Sequence, residues 1–384
     1  MLFCFVMLPF EFYSPVSGGA IATVTMNVAR ELEAQNHDVV VLAADDGQPV
    51  YGAGTVLQTP INTSGQLRGF VSHIQARLCG WDWPNQGRFW RTVGESIKNL
   101  KPDIVVLSND FAGAVEVRRA LPQVKIVVWV HNECHSNGDI PSGLAATDVF
   151  LTCSQYIQSW LTRRYEISKN RVRVAYAGVD ADVFYPKNRE PQDGLKLLFT
   201  GRLDPNKGVD IAVEAFRNLR SLNLPVSLTV AGHSWFYSRT RGKEEPFLQQ
   251  LRAAMKDLHV DWLGHVPRRW IPSVMREHDV ALVISRSQEP FGLVVLEAMA
   301  SGLAVIASPH GGLREACGDA GIFVDPENKE QITQQLRHLC DNQPELQKWK
   351  KRSLVRASKS HWKQTAEVLL KAVNAKRFEG VSCF

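Results

Sequence analysis

The sequence predicts an α/β protein of two domains, each a doubly wound parallel sheet with helices on both faces. Three observations lead there. Short apolar runs alternate with helix-periodic segments along the chain, the order expected of successive β–α units. The runs at Val124–Val130 and Ala281–Ser287 are largely apolar without strict alternation, as in strands covered on both sides. A length of 384 residues, 45% of them hydrophobic, allows two such cores.

The elements follow in order. Met1–Leu8 reads as the first strand and Pro9–Ser17 as a loop. Gly18 and Gly19 come next, then a helix over Ala20–Gln35 and a strand over His37–Ala43. Glycines at a first β–α turn let another backbone or a ligand approach closely, although each alone also suits a plain tight turn. Val124–Val130 is a buried strand ending at His131, which is either a ligand group or a satisfied core residue. Lys187–Gly194 is polar and carries Pro and Gly, so it reads as the interdomain linker, dividing 1–187 from 188–362. Ser358–Ala375 reads as a helix containing Trp362.

The segment Ser285–Pro326 carries most of the chemistry. Two carboxylates, Glu289 and Glu297, are separated by seven residues. Pro290, Phe291 and Gly292 lie between a strand (Ala281–Ser287) and a helix (Leu293–Ser301, ended by Gly302). Ligands of open α/β sheets bind at such strand ends. Gly292 permits close approach, and the amides of Leu293 and Val294 at the helix start suit a phosphate. Carboxylates accept hydrogen bonds from sugar hydroxyls. The alternative is that Glu289 caps the helix and Glu297 lies on a solvated face.

A second strand, a glycine, a loop and a helix follow the same logic at Leu197–Leu219. Gly201, Arg202, Lys207 and Gly208 flank the turn before Ile211–Leu219, and two cations there can neutralise a diphosphate. The loop lacks the GK[ST] signature of a nucleotide triphosphatase, and the chain has no GxGxxG.

Together these motifs resemble the retaining GT-B glycosyltransferases of family 4 (glycosyl transferases group 1). The resemblance rests on Gly201-Arg202, Lys207-Gly208, the Glu289/Glu297 pair with Phe291-Gly292, and Gly311-Gly312 followed by Glu315. It implies a GT-B fold, two Rossmann-like domains facing across a cleft, with a C-terminal helix (363–384) returning to the N-terminal domain. It also implies transfer of a hexosyl unit from a nucleotide-diphosphate sugar to a hydroxyl acceptor, with neither metal nor cofactor. Catalytic roles then map to Glu289, His131, Arg202 and Lys207. Donor contacts map to Gly18, Gly19, Arg202, Lys207, His265, Val266, Glu289, Phe291, Gly292, Leu293, Val294 and Glu297. Glu289 would hold the donor sugar, His131 would face it, and Glu297 would take the ribose. Gly264-His265-Val266, after a strand at Val260–Leu263, would frame the base. Family habit favours a UDP-sugar, with GDP-mannose (a mannosyltransferase) or ADP-glucose as the alternatives. The acceptor would be a glycan, a lipid-linked molecule or a small metabolite. Val174–Pro186 resembles the family's Gly-Val-Asp segment, with Ala177 in place of the usual Asn, and Asn132 stands where many relatives have Asp.

Other classes fare less well. A non-catalytic nucleotide-sugar-binding module predicts loss of Arg202, Lys207 or Glu289, and all three are present. A sugar-nucleotide epimerase or a phosphorylase would share the fold. Asp180 and Asp182 mimic a metal-binding DxD, but their place after a strand and before the linker reads as turn residues. A net charge of +5 without a recognition motif does not indicate nucleic acid. The seven scattered cysteines form no CxxC and favour a reducing compartment. No run reaches membrane-spanning length and the apolar N-terminus lacks a basic leader, so the expected location is cytoplasmic. The basic, aromatic stretch from Arg68 to Arg91, with Trp81, Trp83 and Trp90, suggests an acceptor groove or peripheral membrane contact, or else ordinary helix packing.

Overall fold

A computed structural model describes residues 1–9, 11–59, 86–133, 140–187, 194–233 and 246–375. The chain forms two compact units, Met1–Tyr176 together with the stretch from Trp362 onward, and Ala177–His361.

The first unit holds seven parallel strands. They are β1 (Leu2–Val6), β2 (Asp38–Ala44), β3 (Thr55–Thr59), β4 (Ile104–Ser108), β5 (Lys125–Val130), β6 (Val149–Thr152) and β7 (Val172–Val174). Their order is β3-β2-β1-β4-β5-β6-β7. The central strands are apolar apart from Lys125 and Ser108 at strand ends, and largely buried, because helices cover both faces. Full burial of each Val, Leu or Ile side chain there contributes about 1.5–3 kcal/mol.

The second unit holds six parallel strands in the order β10-β9-β8-β11-β12-β13. They are β8 (Leu195–Thr200), β9 (Val226–Ala231), β10 (Asp261–Gly264), β11 (Val280–Val283), β12 (Ala304–Ala307) and β13 (Gly321–Phe323). Both sheets therefore follow the doubly wound order. The core of this unit gathers Leu197, Phe199, Phe216, Leu228, Leu282 and Ile306 from the sheet and its covering helices.

The unit boundary differs from the expected linker at Lys187–Gly194. The Gly-Val-Asp segment already packs within the second unit. Val179 N donates to Ser360 O (3.0 Å), Arg276 Nη1 donates to Val183 O (3.1 Å), and Lys187 pairs with Glu277 (2.7 Å). Residues 188–193 of that linker lie outside the described residues. The final helix also starts later than expected, at Trp362 rather than Ser358. The preceding helix, Gln343–Ala357, ends there, and Ser358 N donates to Leu354 O (2.9 Å) as part of its cap. The helix Trp362–Asn374 belongs to the first unit. It packs against the helix Ala20–Glu33, and Thr365 Oγ1 donates to Tyr176 O (2.6 Å).

Trp81 and Trp83 lie outside the described residues. Trp90 does not: it is buried, and its ring fills the space that a Cβ at Gly113 would need, so it serves the core rather than a surface groove. Among the described residues no helix is long and apolar enough to cross a membrane.

Candidate active site

Sheet order explains which loops meet. β8 and β11 are neighbours, but the chain runs from β8 to β9 on one side and reaches β11 on the other. The crevice at such a switch point is where open α/β sheets bind ligands. The loop after β8 carries Lys207 and the loop after β11 carries Glu289. Lys207 Nζ lies 2.6 Å from Glu289 Oε1. Glu289 is buried and the Lys207 side chain is one-quarter exposed, so the pair is shielded from much of the solvent. Ser285 Oγ lies 2.7 Å from the same Oε1 and 2.8 Å from Asn206 O, and its one proton can serve either. Glu289 Oε2 accepts no hydrogen bond among the described residues.

Three loops interlock around this pair. Arg286 reaches Asp210 with two bonds of 2.8 Å, Pro205 O at 2.7 Å and Glu327 at 3.0 Å. Hydrogen bonding to Asp210 raises the pKa of its guanidinium further. Arg286 N also donates to Asn206 O (2.8 Å). The Lys207 loop is thus fastened to the end of β11. The Gly311-Gly312 pair fastens the Glu289 loop from the other side: Gly312 N donates to Glu289 O (2.7 Å). A Cβ at Gly311, where φ is +58°, would sit 2.2 Å from that same oxygen. His310 Nδ1 lies 3.0 Å from Ser285 O.

The helix Leu293–Ala300 begins at Gly292 (φ 98°) without a side-chain cap, so Glu289 is not the cap. Among the described residues no group accepts from the amides of Leu293 and Val294, and both stay available to an anion. Phe291 is buried beneath this turn. Glu297 is not on a solvated face either: it is buried and bound by Arg268 Nη2 at 2.5 Å.

Some expected members stand apart. Arg202 is half-exposed, 3.6 Å from Asp204, and has no contact with the Lys207–Glu289 pair among the described residues. The expected strand Val260–Leu263 is Asp261–Gly264, at the sheet edge. His265 is exposed and Val266 half-buried just after it. This turn nevertheless reaches the site, because Arg268 comes from it to hold Glu297. Gly18, Gly19 and His131 belong to the first unit, after β1 and β5. A Cβ at Gly18 would sit 2.3 Å from Ser14 O, so glycine is required there on packing grounds alone. Gly19 begins the helix Ala20–Glu33 without a side-chain cap. His131 is buried and stacked on Trp129 (ring centroids 5.1 Å apart), and its amide donates to Asn109 Oδ1 (2.6 Å). Burial lowers its pKa to about 3, so the imidazole is neutral.

Four side chains of this site were not among the expected ones: Ser285, Arg286, Arg268 and His310. Ser285 and Arg286 carry a faint signal, a polar pair closing an apolar strand just ahead of Glu289. Asp180 and Asp182 form a turn, with Asp182 N bonded to Asp180 Oδ1 (3.1 Å). Among the described residues no group of three His, Cys, Asp or Glu side chains could hold a metal ion.

Two doubly wound parallel sheets, each in its own unit, make this a GT-B fold. The structure of Anabaena HepE in complex with UDP and glucose has this fold, with TM-score 0.73, 16% identity and coverage of 97% of this chain and 99% of that one. The model for Glycosyltransferase Family 4 matches residues 18–183, and that for Glycosyl transferases group 1 matches 180–355. The chain belongs to the family 4, group 1 glycosyltransferases. It is similar to spore coat protein SA of Bacillus subtilis, 27% identical over 76% of this chain and 84% of that protein. It is also similar to the lipopolysaccharide 1,2-N-acetylglucosaminetransferase of Salmonella typhimurium, 26% identical over 72% of this chain and 73% of that enzyme.

Proposed function

We propose that the chain is a retaining, metal-independent hexosyltransferase that uses a UDP-sugar and a hydroxyl acceptor, a glycan, glycolipid or small metabolite. The observation that carries this reading is the shielded Lys207–Glu289 pair beside two unpaired helix-start amides. A cation, a carboxylate and a helix start without a side-chain cap lie along the same two loops, which supports a nucleotide-diphosphate sugar as the ligand. The UDP and glucose bound by HepE and the N-acetylglucosamine transfer named for the Salmonella relative support a UDP-hexose donor.

In this reading Lys207 and the amides of Leu293 and Val294 receive the diphosphate, and Arg202 swings in from its half-exposed position. Negative charge grows on the leaving phosphate as the glycosidic bond breaks, so these contacts strengthen in the transition state. Glu289 Oε2 accepts a sugar hydroxyl. Its Oε1 is tied to Lys207, which suits holding the sugar rather than attacking its anomeric carbon. Retention then follows from attack on the face the phosphate leaves, with the phosphate taking the acceptor proton. Glu297, oriented by Arg268, receives the ribose hydroxyls, and the backbone at His265 and Val266 borders the base. In the first unit, neutral His131 offers a hydrogen bond to a sugar hydroxyl, and Gly18 and Gly19 offer bare backbone to phosphate oxygens.

The test is slow hydrolysis of a panel of UDP-, GDP- and ADP-sugars, with and without a chelator, beside Glu289→Ala. The expected result is release of UDP from one donor, insensitive to chelation and abolished in the variant. Release of GDP from GDP-mannose would replace the donor assignment with the mannosyl one. Failure of every donor to bind or turn over would overturn the reading.

A further inference from the structure

One face of the helix Gln343–Ala357 carries cations at a spacing that lines them up. Lys348, Lys351, Arg352 and Arg356, with Lys359 just beyond the helix, line a concavity of about 370 Å³. Asp319 is the carboxylate that lines the concavity with them among the described residues. Its side chain is 91% exposed and 3.7 Å from Arg352. Lys348 is paired with Glu345 at 3.1 Å, whereas Lys351 and Lys359 have no ionic partner among the described residues. The two arginines are held in place. The Arg352 guanidinium lies 4.5 Å from the centre of the Trp349 ring, and its Nη2 donates to Asp319 O. Arg356 donates from Nε to Ala316 O (2.9 Å) and from Nη2 to Glu315 O. Val355, half-exposed in their midst, adds an apolar floor. Fixed guanidinium groups backed by uncommitted ammonium groups suit a compact dianion.

We infer that this concavity is a second binding site, for a phosphate monoester, and that its occupancy is transmitted to the Glu289 loop. The route is short. Arg356 holds the last carbonyls of the five-residue helix Leu313–Cys317. The other end of that helix starts at Gly312, whose amide holds Glu289 O, and Leu313 packs against Gly292. An anion bonded to the Arg356 guanidinium competes with those carbonyls for its N–H groups and weakens its hold on them. The binding site stands on its own residues, and only the meaning of the transmission for turnover rests on the proposed activity.

Titration with glycerol 3-phosphate tests the site, using the full chain, the double variant Lys351→Ala/Lys359→Ala, and Lys207→Met. Saturable binding weakened at least about tenfold in the double variant and unchanged in Lys207→Met is expected. Equal binding by all three proteins, or none to the ester or to vesicles, overturns the site. Vesicles of phosphatidylcholine with and without phosphatidic acid separate the sources: capture by the acid-containing vesicles alone, lost in the double variant, assigns the same phosphate to a lipid. Amide exchange over residues 311–317 tests the link. Faster exchange with ester or lipid bound supports it, and unchanged exchange despite binding refutes it.

Discussion

At the residue scale, the site is a set of charges whose partners are fixed before any ligand arrives. Glu289 holds Lys207, and Arg268 holds Glu297. Glu289→Gln keeps the shape but removes the charge that orients Lys207, so donor turnover should fall about 100-fold or more, as when one preorganised electrostatic contact is lost. Steady-state kinetics with little change in melting temperature would show this. Two groups pull stability in opposite directions with pH. Burial raises the carboxyl of Glu11, beside Gly19, from 4.5 to about 7. Between those values the folded state holds more protons than the unfolded, so this group makes stability fall as pH rises through the window. His131, lowered from 6.5 to about 3, acts the other way. Its stability contribution is complete above 6.5 and lost as pH drops toward 3. Glu11→Gln should therefore remove a loss between pH 4.5 and 7, and His131→Asn a gain between pH 3 and 6.5. Melting curves across that range check both, each pKa unit corresponding to about 1.4 kcal/mol.

At the element scale, the strands and the helix starts were legible because their signals are local. An apolar run, a glycine and a helical period each report on one segment. The ends moved by a few residues where side chains took over from periodicity. The expected strand Ala281–Ser287 stops at Val283, since Ser285 and Arg286 turn to bond the loop of Asn206 instead of continuing the ladder. That contact joins residues some eighty positions apart, and no local pattern announces it. Nor does spacing reveal that Gly311 and Gly312 exist to let the Glu289 backbone pass. Gly311→Ala should cost about 1–3 kcal/mol, from the left-handed backbone and the clash. It should also lower turnover more than a surface change of equal destabilisation, because the loop that moves carries Glu289. Arg286→Lys keeps the charge but loses the planar fork on Asp210. Faster amide exchange over residues 205–210 is the expected outcome.

At the scale of the whole molecule, two sheets that share one order over six strands follow one another, the first with a seventh strand at its edge, and the last helix belongs to the first unit. The alternation of strand and helix predicted the sheets. The unit boundary was less legible, since polar composition marks a linker only where nothing packs on it, and Val179, Val183 and Lys187 are already engaged. Trp362, Ala366, Leu369 and Val373 are buried against the first unit. A chain ending at His361 should therefore show two melting transitions, with that of the first unit shifted down and that of the second nearly unmoved. A single unshifted transition would contradict this division.

In the proposed reading the switch-point crevice divides one donor between Lys207, which takes the diphosphate, and Glu289, which takes the sugar. Calorimetric titration of UDP into the unmodified chain, Lys207→Met and Glu289→Gln tests it most directly. UDP binding should weaken about tenfold or more in Lys207→Met and be largely kept in Glu289→Gln, even as that variant loses turnover. Equal loss in both variants, or UDP binding that neither change affects, would contradict it.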